Sequence, residues 1–218
     1  MGKKLSVFFD SILRLNRLLF VSVVCVFIFT SSLTAQVAFI GGVNYTNERN
    51  NNLIENQEPR TTYHWGASIR YYLLKNYPKI SFQNELIFNQ KGYRQVLDQK
   101  YFFNFDYISF PVLINYALTE NFSVNTGIEF SKLLSSNIKR YTETYNDFDI
   151  GLVLGFSCFE KKGISFYSRI TYGLLPLLDY YAIDKVGNFT GEIHDLKNIC
   201  LSVGIKINIC NEKIRFYK

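Results

Sequence analysis

The residues best suited to chemistry are few. Only two histidines occur, His64 and His194, and the second has Glu192 and Asp195 beside it. A hydrolase or acyltransferase needs a base, an orienting carboxylate and a nucleophile within hydrogen-bonding reach, and neither histidine carries that set in its local sequence. Both fall near the long-loop ends of predicted strands, where a solvated loop histidine is the expected state. A surface enzyme acting on lipid or peptide through His64 or His194 is the alternative. No His-x-His, Cys-x-x-Cys or His-Glu-x-x-His spacing is present, so neither a metal site nor a cofactor is expected. Gly41-Gly42 lacks the helix and the Gly-Lys-Ser/Thr of a phosphate loop, and reads as a bend or a close-packing point within a strand.

A second set of residues is more informative. Arg70, Glu85, Glu129, Asp149, Arg169 and Lys206 stand singly among Gly, Ser and Asn, on the polar side of segments that alternate with period two. Alternation of that kind marks a strand whose two faces meet different surroundings. The runs Ile108, Phe110, Val112, Ile114, Tyr116 and Ile199, Leu201, Val203, Ile205, Ile207 are the clearest. Segments at about 37 to 45, 62 to 73, 79 to 91, 107 to 118, 122 to 131, 149 to 156, 164 to 173 and 199 to 209 give eight strands, and no segment after residue 35 fits helical spacing better. Their connections alternate in length: 46 to 61, 92 to 102, 134 to 146 and 176 to 195 are long, and 74 to 78, 119 to 120 and 161 to 162 are short. In an antiparallel meander this separates long loops from short turns at opposite ends. The polar run Asn47-Glu48-Arg49-Asn50-Asn51-Asn52 is expected to be a solvated loop.

Composition bounds the class. With 218 residues, 48% hydrophobic and 19% charged, the chain has material for one domain with a substantial interior, and extensive disorder is excluded. A mean hydropathy of +0.00 excludes a polytopic helical membrane protein. Twenty Phe and sixteen Tyr against one Trp suit strands. Lys3, Lys4, Arg14 and Arg17 lead into an apolar run from Leu18 to Phe29 and then to small polar residues, which predicts a secretory signal over 1–35 cut after Ala35, with a barrel domain over 36–218. An uncleaved anchor is the competing reading. Without residues 1–35 the formal charge falls from +6 to +3, twenty basic against seventeen acidic residues, and no basic stripe remains to suggest nucleic acid. Cys158, Cys200 and Cys210 then remain, too few for a disulfide framework. One bridge involving Cys200 or Cys210 is left open.

The same alternation fits a soluble sandwich with its apolar face inward or a membrane barrel with that face outward. Three features favour the barrel. The polar face is small and sparsely charged, which suits a crowded lumen. The strands reach the ten or so residues a tilted strand needs to cross hydrocarbon. Export, short turns at one end and long loops at the other form the pattern of outer-membrane barrels. The expected fold is therefore all-β, an eight-stranded antiparallel up-and-down transmembrane β-barrel in the cell outer membrane. Eight strands leave an interior that side chains fill, so no open channel is expected. The six isolated charges are expected to pair inside it. Tyr45, Tyr71, Tyr93, Tyr107, Tyr116 and Tyr172 are assigned to an interfacial girdle. Pro111, inside a strand pattern, is expected to need a bulge.

The segment Glu85-Leu86-Ile87-Phe88-Asn89-Gln90-Lys91-Gly92 followed by Tyr107-Ile108-Ser109-Phe110-Pro111-Val112-Leu113-Ile114-Asn115-Tyr116 resembles a strand pair of the PorT-like outer-membrane β-barrel family. Gly127, then Phe148-Asp149-Ile150-Gly151 with Gly155, then Arg169-Ile170-Thr171-Tyr172-Gly173-Leu174 follow in the family's order, so the resemblance spans about 36 to 210. It implies an outer-membrane location and a link to protein secretion or surface export. Many such barrels end on an aromatic residue read by the assembly machinery, and Phe216 or Tyr217 would take that place here. The expectation is thus a small non-enzymatic barrel in contact with outer-membrane lipid, structural or docking secretion and envelope proteins. A secreted soluble carrier with Leu201, Val203 and Ile205 lining its pocket is the remaining alternative.

Overall fold

The computed structural model describes residues 35–50, 54, 56–74, 76–138, 145–159, 163–183 and 189–209, with 50, 179–183 and 189–194 as backbone alone. Of the predicted signal over 1–35 only Ala35 is described, where the first strand opens; Cys210, Phe216 and Tyr217 lie outside the described residues.

Ten strands follow in order: β1 (Ala35–Asn50), β2 (Gln57–Glu58), β3 (Arg60–Tyr71), β4 (Ile80–Val96), β5 (Lys100–Ala117), β6 (Phe122–Ser136), β7 (Phe148–Cys158), β8 (Ile164–Gly173), β9 (Leu178–Ile183) and β10 (Phe189–Asn208). Eight of them form a ring in the order β1, β3, β4, β5, β6, β7, β8, β10, closed by antiparallel pairing of β10 with β1. The closing register runs from Ala38 opposite Asn208 to Asn50 opposite Leu196. The other two strands are short additions at the long-loop end, β2 pairing with the end of β4 and β9 with the start of β10.

Along every strand of the ring the burial alternates. On β10, Ser202, Gly204 and Lys206 are buried, while Val203, Ile205 and Ile207 are 50%, 41% and 45% exposed. Phe39, Trp65, Leu86, Ile114, Leu152, Leu154 and Phe166 are likewise exposed and belong to the outer face. Contiguous apolar exposure around a whole barrel has a use only against hydrocarbon. The soluble carrier fails on this point, because Leu201, Val203 and Ile205 stand outside rather than around a cavity.

The strands run further than predicted at the long-loop end. β1 continues through the expected loop to Asn50 and so carries Glu48 on its lumenal side. Likewise, the expected loop 92 to 102 is a β-ribbon that turns only between Val96 and Lys100, which face each other. Gly92 permits this. Its φ of +137° is open to glycine, and a Cβ there would come within 2.0 Å of the Phe103 carbonyl oxygen. The glycine that reads as a strand end in sequence therefore carries the strand onward. Much of the expected 176 to 195 loop is the β9–β10 ribbon.

Pro111 needs no bulge. It faces Glu129 on β6 in unbroken register, and toward β4 the ladder lapses between Asn84–Val112 and Ile87–Ser109 without shifting. The absent N–H of proline removes bonds on one side only, and the flanking pairs hold the register. The β5–β6 ladder shifts instead opposite Asp106 and Tyr107, where Leu134 is the extra residue on β6. Among the tyrosines assigned to a girdle, Tyr45 and Tyr116 are exposed on the outer face, and the Tyr172 hydroxyl accepts a 2.7 Å bond from Arg49. Tyr71 is buried and stacked on Phe82, and Tyr93 and Tyr107 point into the barrel. Tyrosine has an apolar body and a polar tip, so a filled lumen accommodates it as well as an interface does.

Val203→Arg, in the middle of the outer face, is expected to lower folding free energy into lipid vesicles by about 2–4 kcal/mol. Leu97→Arg, at the turn of the β4–β5 ribbon, is expected to change it by less than about 0.5 kcal/mol. Denaturant titration in vesicles reads both.

Candidate functional site: a filled polar lumen

The inner positions of the ring hold Asn44, Ser68, Gln83, Asn89, Ser109, Asn115, Asn125, Ser157 and Ser202 around eight buried ions. Among the described residues these ions are four cations, Arg70, Lys91, Arg169 and Lys206, and four carboxylates, Glu48, Glu85, Glu129 and Asp149. Buried ions are tolerated when their charges and hydrogen-bonding atoms meet partners.

At the short-loop end, Arg70 donates through Nε and Nη2 to Gln83 Oε1 at 3.0 and 2.7 Å, and Lys206 donates to Ser157 Oγ at 3.3 Å. The Gln83 amide passes the connection on by donating to Glu85 Oε1. A water-sized polar mouth opens here, lined by Gln36, Ser68, Arg70, Gln83, Ser165 and Lys206. At mid-height Arg169 clasps Glu85 with both guanidinium nitrogens, at 2.6 and 2.9 Å, and lies over the Tyr167 ring at 4.7 Å. This bidentate pair joins β8 to β4 across the barrel. Tyr167 has room because Gly204 faces Gly42 across the seam, and a Cβ at Gly204 would come within 2.7 Å of the Tyr167 hydroxyl.

His64 sits beside this pair and is not a loop histidine. It is 4% exposed, with Nδ1 at 2.6 Å from Asn44 Oδ1 and Nε2 against the Tyr167 hydroxyl. Asn44 Nδ2 donates to Asn89 Oδ1 at 2.8 Å, so Asn44 Oδ1 is the acceptor; it also receives Ser202 Oγ at 2.8 Å. His64 therefore carries its proton on Nδ1 and accepts from Tyr167 at Nε2. Both nitrogens are occupied inside the barrel, out of reach of a lipid or a peptide. The side chain of His194 lies outside the described residues; its backbone pairs with Tyr180 in the β9–β10 ribbon.

Toward the long-loop end, Lys91 Nζ donates to Glu129 Oε1 at 2.9 Å, and the same oxygen receives Ser131 Oγ at 3.0 Å. Asn198 Nδ2 donates to Asp149 Oδ2 at 2.9 Å. Above them Tyr93, Phe105, Tyr107, Leu133, Leu177 and Leu196 close the barrel with an apolar cap. Tyr145 packs on this cap from the β6–β7 connection, and burial raises its phenol above the ordinary value.

Of the six charges singled out in sequence, the structure brings Glu85 and Arg169 into direct contact. Glu129 meets Lys91, and Asp149 meets Asn198. Arg70 and Lys206 share Gln83 as an acceptor, at 2.7 and 3.5 Å. Sequence reasoning missed Lys91, Glu48 and His64 as lumenal groups. Parity could have found all three: Lys91 continues the inward series 83, 85, 87, 89 of β4, Glu48 the series 40, 42, 44, 46 of β1, and His64 shares the inward parity of Ser68 and Arg70 on β3. Cys200 is a buried free thiol in the lumen and Cys158 a free thiol on β7, so Cys200 forms no bridge. Among the described residues no group of three or more His, Cys, Asp or Glu converges.

A closed ring with an apolar outer face, a polar filled interior, short turns at one end and ribbons at the other defines a small outer-membrane β-barrel protein. The chain belongs to the outer membrane protein beta-barrel domain family, whose model matches residues 30–179. No curated protein matches the sequence. Among solved structures it is similar to Neisserial surface protein A, with 11% identity, 79% of this chain and 97% of that chain covered, and a TM-score of 0.47. It is also similar to Ail, the attachment invasion locus protein of Yersinia pestis, with 10% identity, coverages of 80% and 98% and a TM-score of 0.43. A third is the outer membrane protein OprG of Pseudomonas aeruginosa, with 9% identity, coverages of 81% and 96% and a TM-score of 0.40.

Glu85→Leu alone is expected to lower stability by about 3–5 kcal/mol, because it strands the Arg169 charge. The double variant Glu85→Leu/Arg169→Leu is expected to lose less than the sum of its single changes. Denaturant titration of all four proteins in micelles measures the cycle, and strict additivity would count against a paired interior.

Proposed function

We propose that this protein is a non-enzymatic docking barrel of the outer membrane that engages partners in protein secretion or cell-surface assembly through its long-loop end. The observation that carries the reading is the β4–β5 ribbon. It projects beyond the ring and presents Leu97 and Tyr101, each about half exposed, next to the charged side chains Asp98 and Lys100. Among the described residues the lumen is filled by side chains and covered by the apolar cluster, which favours the rim as the part that meets partners. Paired apolar and aromatic groups within a polar surround are the composition that protein interfaces favour. The resemblance of residues 85 to 92 and 107 to 116 to PorT-like barrels supports the connection with secretion. The six lumenal charges serve in this reading as the rigid mount of the rim. The signal over 1–35 would deliver the chain to its membrane.

Photo-crosslinking side chains placed at Leu97 and Tyr101 in cells are expected to yield adducts with envelope proteins of export or surface assembly, identified by mass spectrometry. The same group at Leu154, on the outer face, is expected to capture lipid. Adducts to lipid alone from all three positions would refute docking through the ribbon.

A further inference from the structure

The lumenal ions are not evenly spread. Lys91, Glu48, Glu129 and Asp149 gather toward the long-loop end, while Arg70, Arg169, Lys206 and Glu85 lie toward the short-loop end. The upper group has three carboxylates against one ammonium, and that ammonium is bonded to Glu129. Among the described residues, neither Glu48 nor Asp149 has a cation within hydrogen-bonding distance. Arg169, at mid-height, is held by Glu85, and the two cations of the short-loop mouth are too remote to serve them. Glu48 lies ten positions along β1 from Ala38, which stands at the short-loop mouth with Arg70 and Lys206, and ten positions of strand span roughly 33 Å.

Apart from Nε of Arg60, whose Nη1 is held by Asn104, the unsatisfied atoms beside Glu48 are oxygens. Both carboxylate oxygens of Glu48, Oδ1 of Asp149 and Oδ1 of Asn198 are buried without a donor, on side chains whose residues are 2%, 4% and 2% exposed. They belong together. Asn198 is the cross-strand partner of Glu48 on the closing seam, which sets their side chains about 5 Å apart at Cβ. Its amide nitrogen is committed to Asp149 Oδ2, so its oxygen is the end left over. On β8, Gly173 lets them close up, since a Cβ there would come within 2.8 Å of Asp149 Oδ2 and 3.2 Å of the Asn198 backbone. Buried oxygens without donors, on two carboxyl groups and an amide that share a single ammonium, are what a hard cation requires.

The geometry points to a binding site for a hard divalent cation formed by Glu48, Asp149 and Asn198 beneath the apolar cap. The ion joins β1 and β10, the two strands of the seam, to β7, and it cancels the excess charge of the upper lumen. Tyr107, whose hydroxyl lies 3.5 Å from Asn198 Nδ2, is placed to transfer excitation to a luminescent ion held there.

The test uses the full chain refolded in micelles with Tb3+ as the probe. Tyrosine-sensitised Tb3+ emission is expected to saturate at one ion per barrel and to be displaced by Ca2+. Glu48→Gln and Asp149→Asn are each expected to lose the saturable emission while keeping the heat-modifiable gel mobility of a folded barrel. The wild type alone supplies a second readout, since its thermal midpoint is expected to rise with Ca2+ concentration and to fall on chelation. Emission that fails to saturate, emission retained in Glu48→Gln, or a midpoint indifferent to Ca2+ would each overturn the site, the last leaving ordinary water as the occupant.

Discussion

A hydrocarbon environment offers no partner for a backbone N–H or carbonyl, so no strand edge can be left open within it. The pairing of β1 with β10 answers that constraint, and the rest of the barrel follows from it. Closing the ring with eight strands fixes a diameter at which inward side chains touch one another. The inward positions must then be small where backbones approach, as at Gly42 opposite Gly204, and polar groups placed there must satisfy one another. The Arg169–Glu85 clasp and the Lys91–Glu129 pair are what closure demands of ionised residues that water does not reach.

The division between inside and outside was legible because each strand sees two different media, and period two writes that difference into the sequence. Parity put Val203, Ile205 and Ile207 on one face and Arg169 and Lys206 on the other without knowledge of the fold, and the small, sparsely charged composition of the second face, with strand length and loop pattern, turned it inward. Parity says nothing about height. Which charge meets which depends on the stagger between strands, and that stagger is set by the seam and by turns whose geometry the sequence states only faintly. Glu129 therefore found Lys91, a residue at the predicted end of its strand.

Strand ends were misjudged for a related reason. Gly92 and the run from Asn47 to Asn50 have the composition of loops, yet ladder pairing outweighs local preference once a neighbouring strand is in place. His64 was misplaced although its parity matches that of Arg70, because it stands near the end of its predicted strand, where lumenal and loop residues are alike in composition. The convergence of Asn44 from β1 and Tyr167 from β8 fixes its place. The aromatic cap was hidden in the same way, its members coming from separate strands and connections.

The two halves of the central clasp, Glu85 and Arg169, are 84 residues apart in the chain. A half-assembled sheet that has laid down β4 but not β8 would bring a bare carboxylate into a membrane and have nothing to offset it. Insertion of β4 without β8 is therefore penalised, and the clasp ties the first half of the sheet to the second before β10 closes the ring on β1.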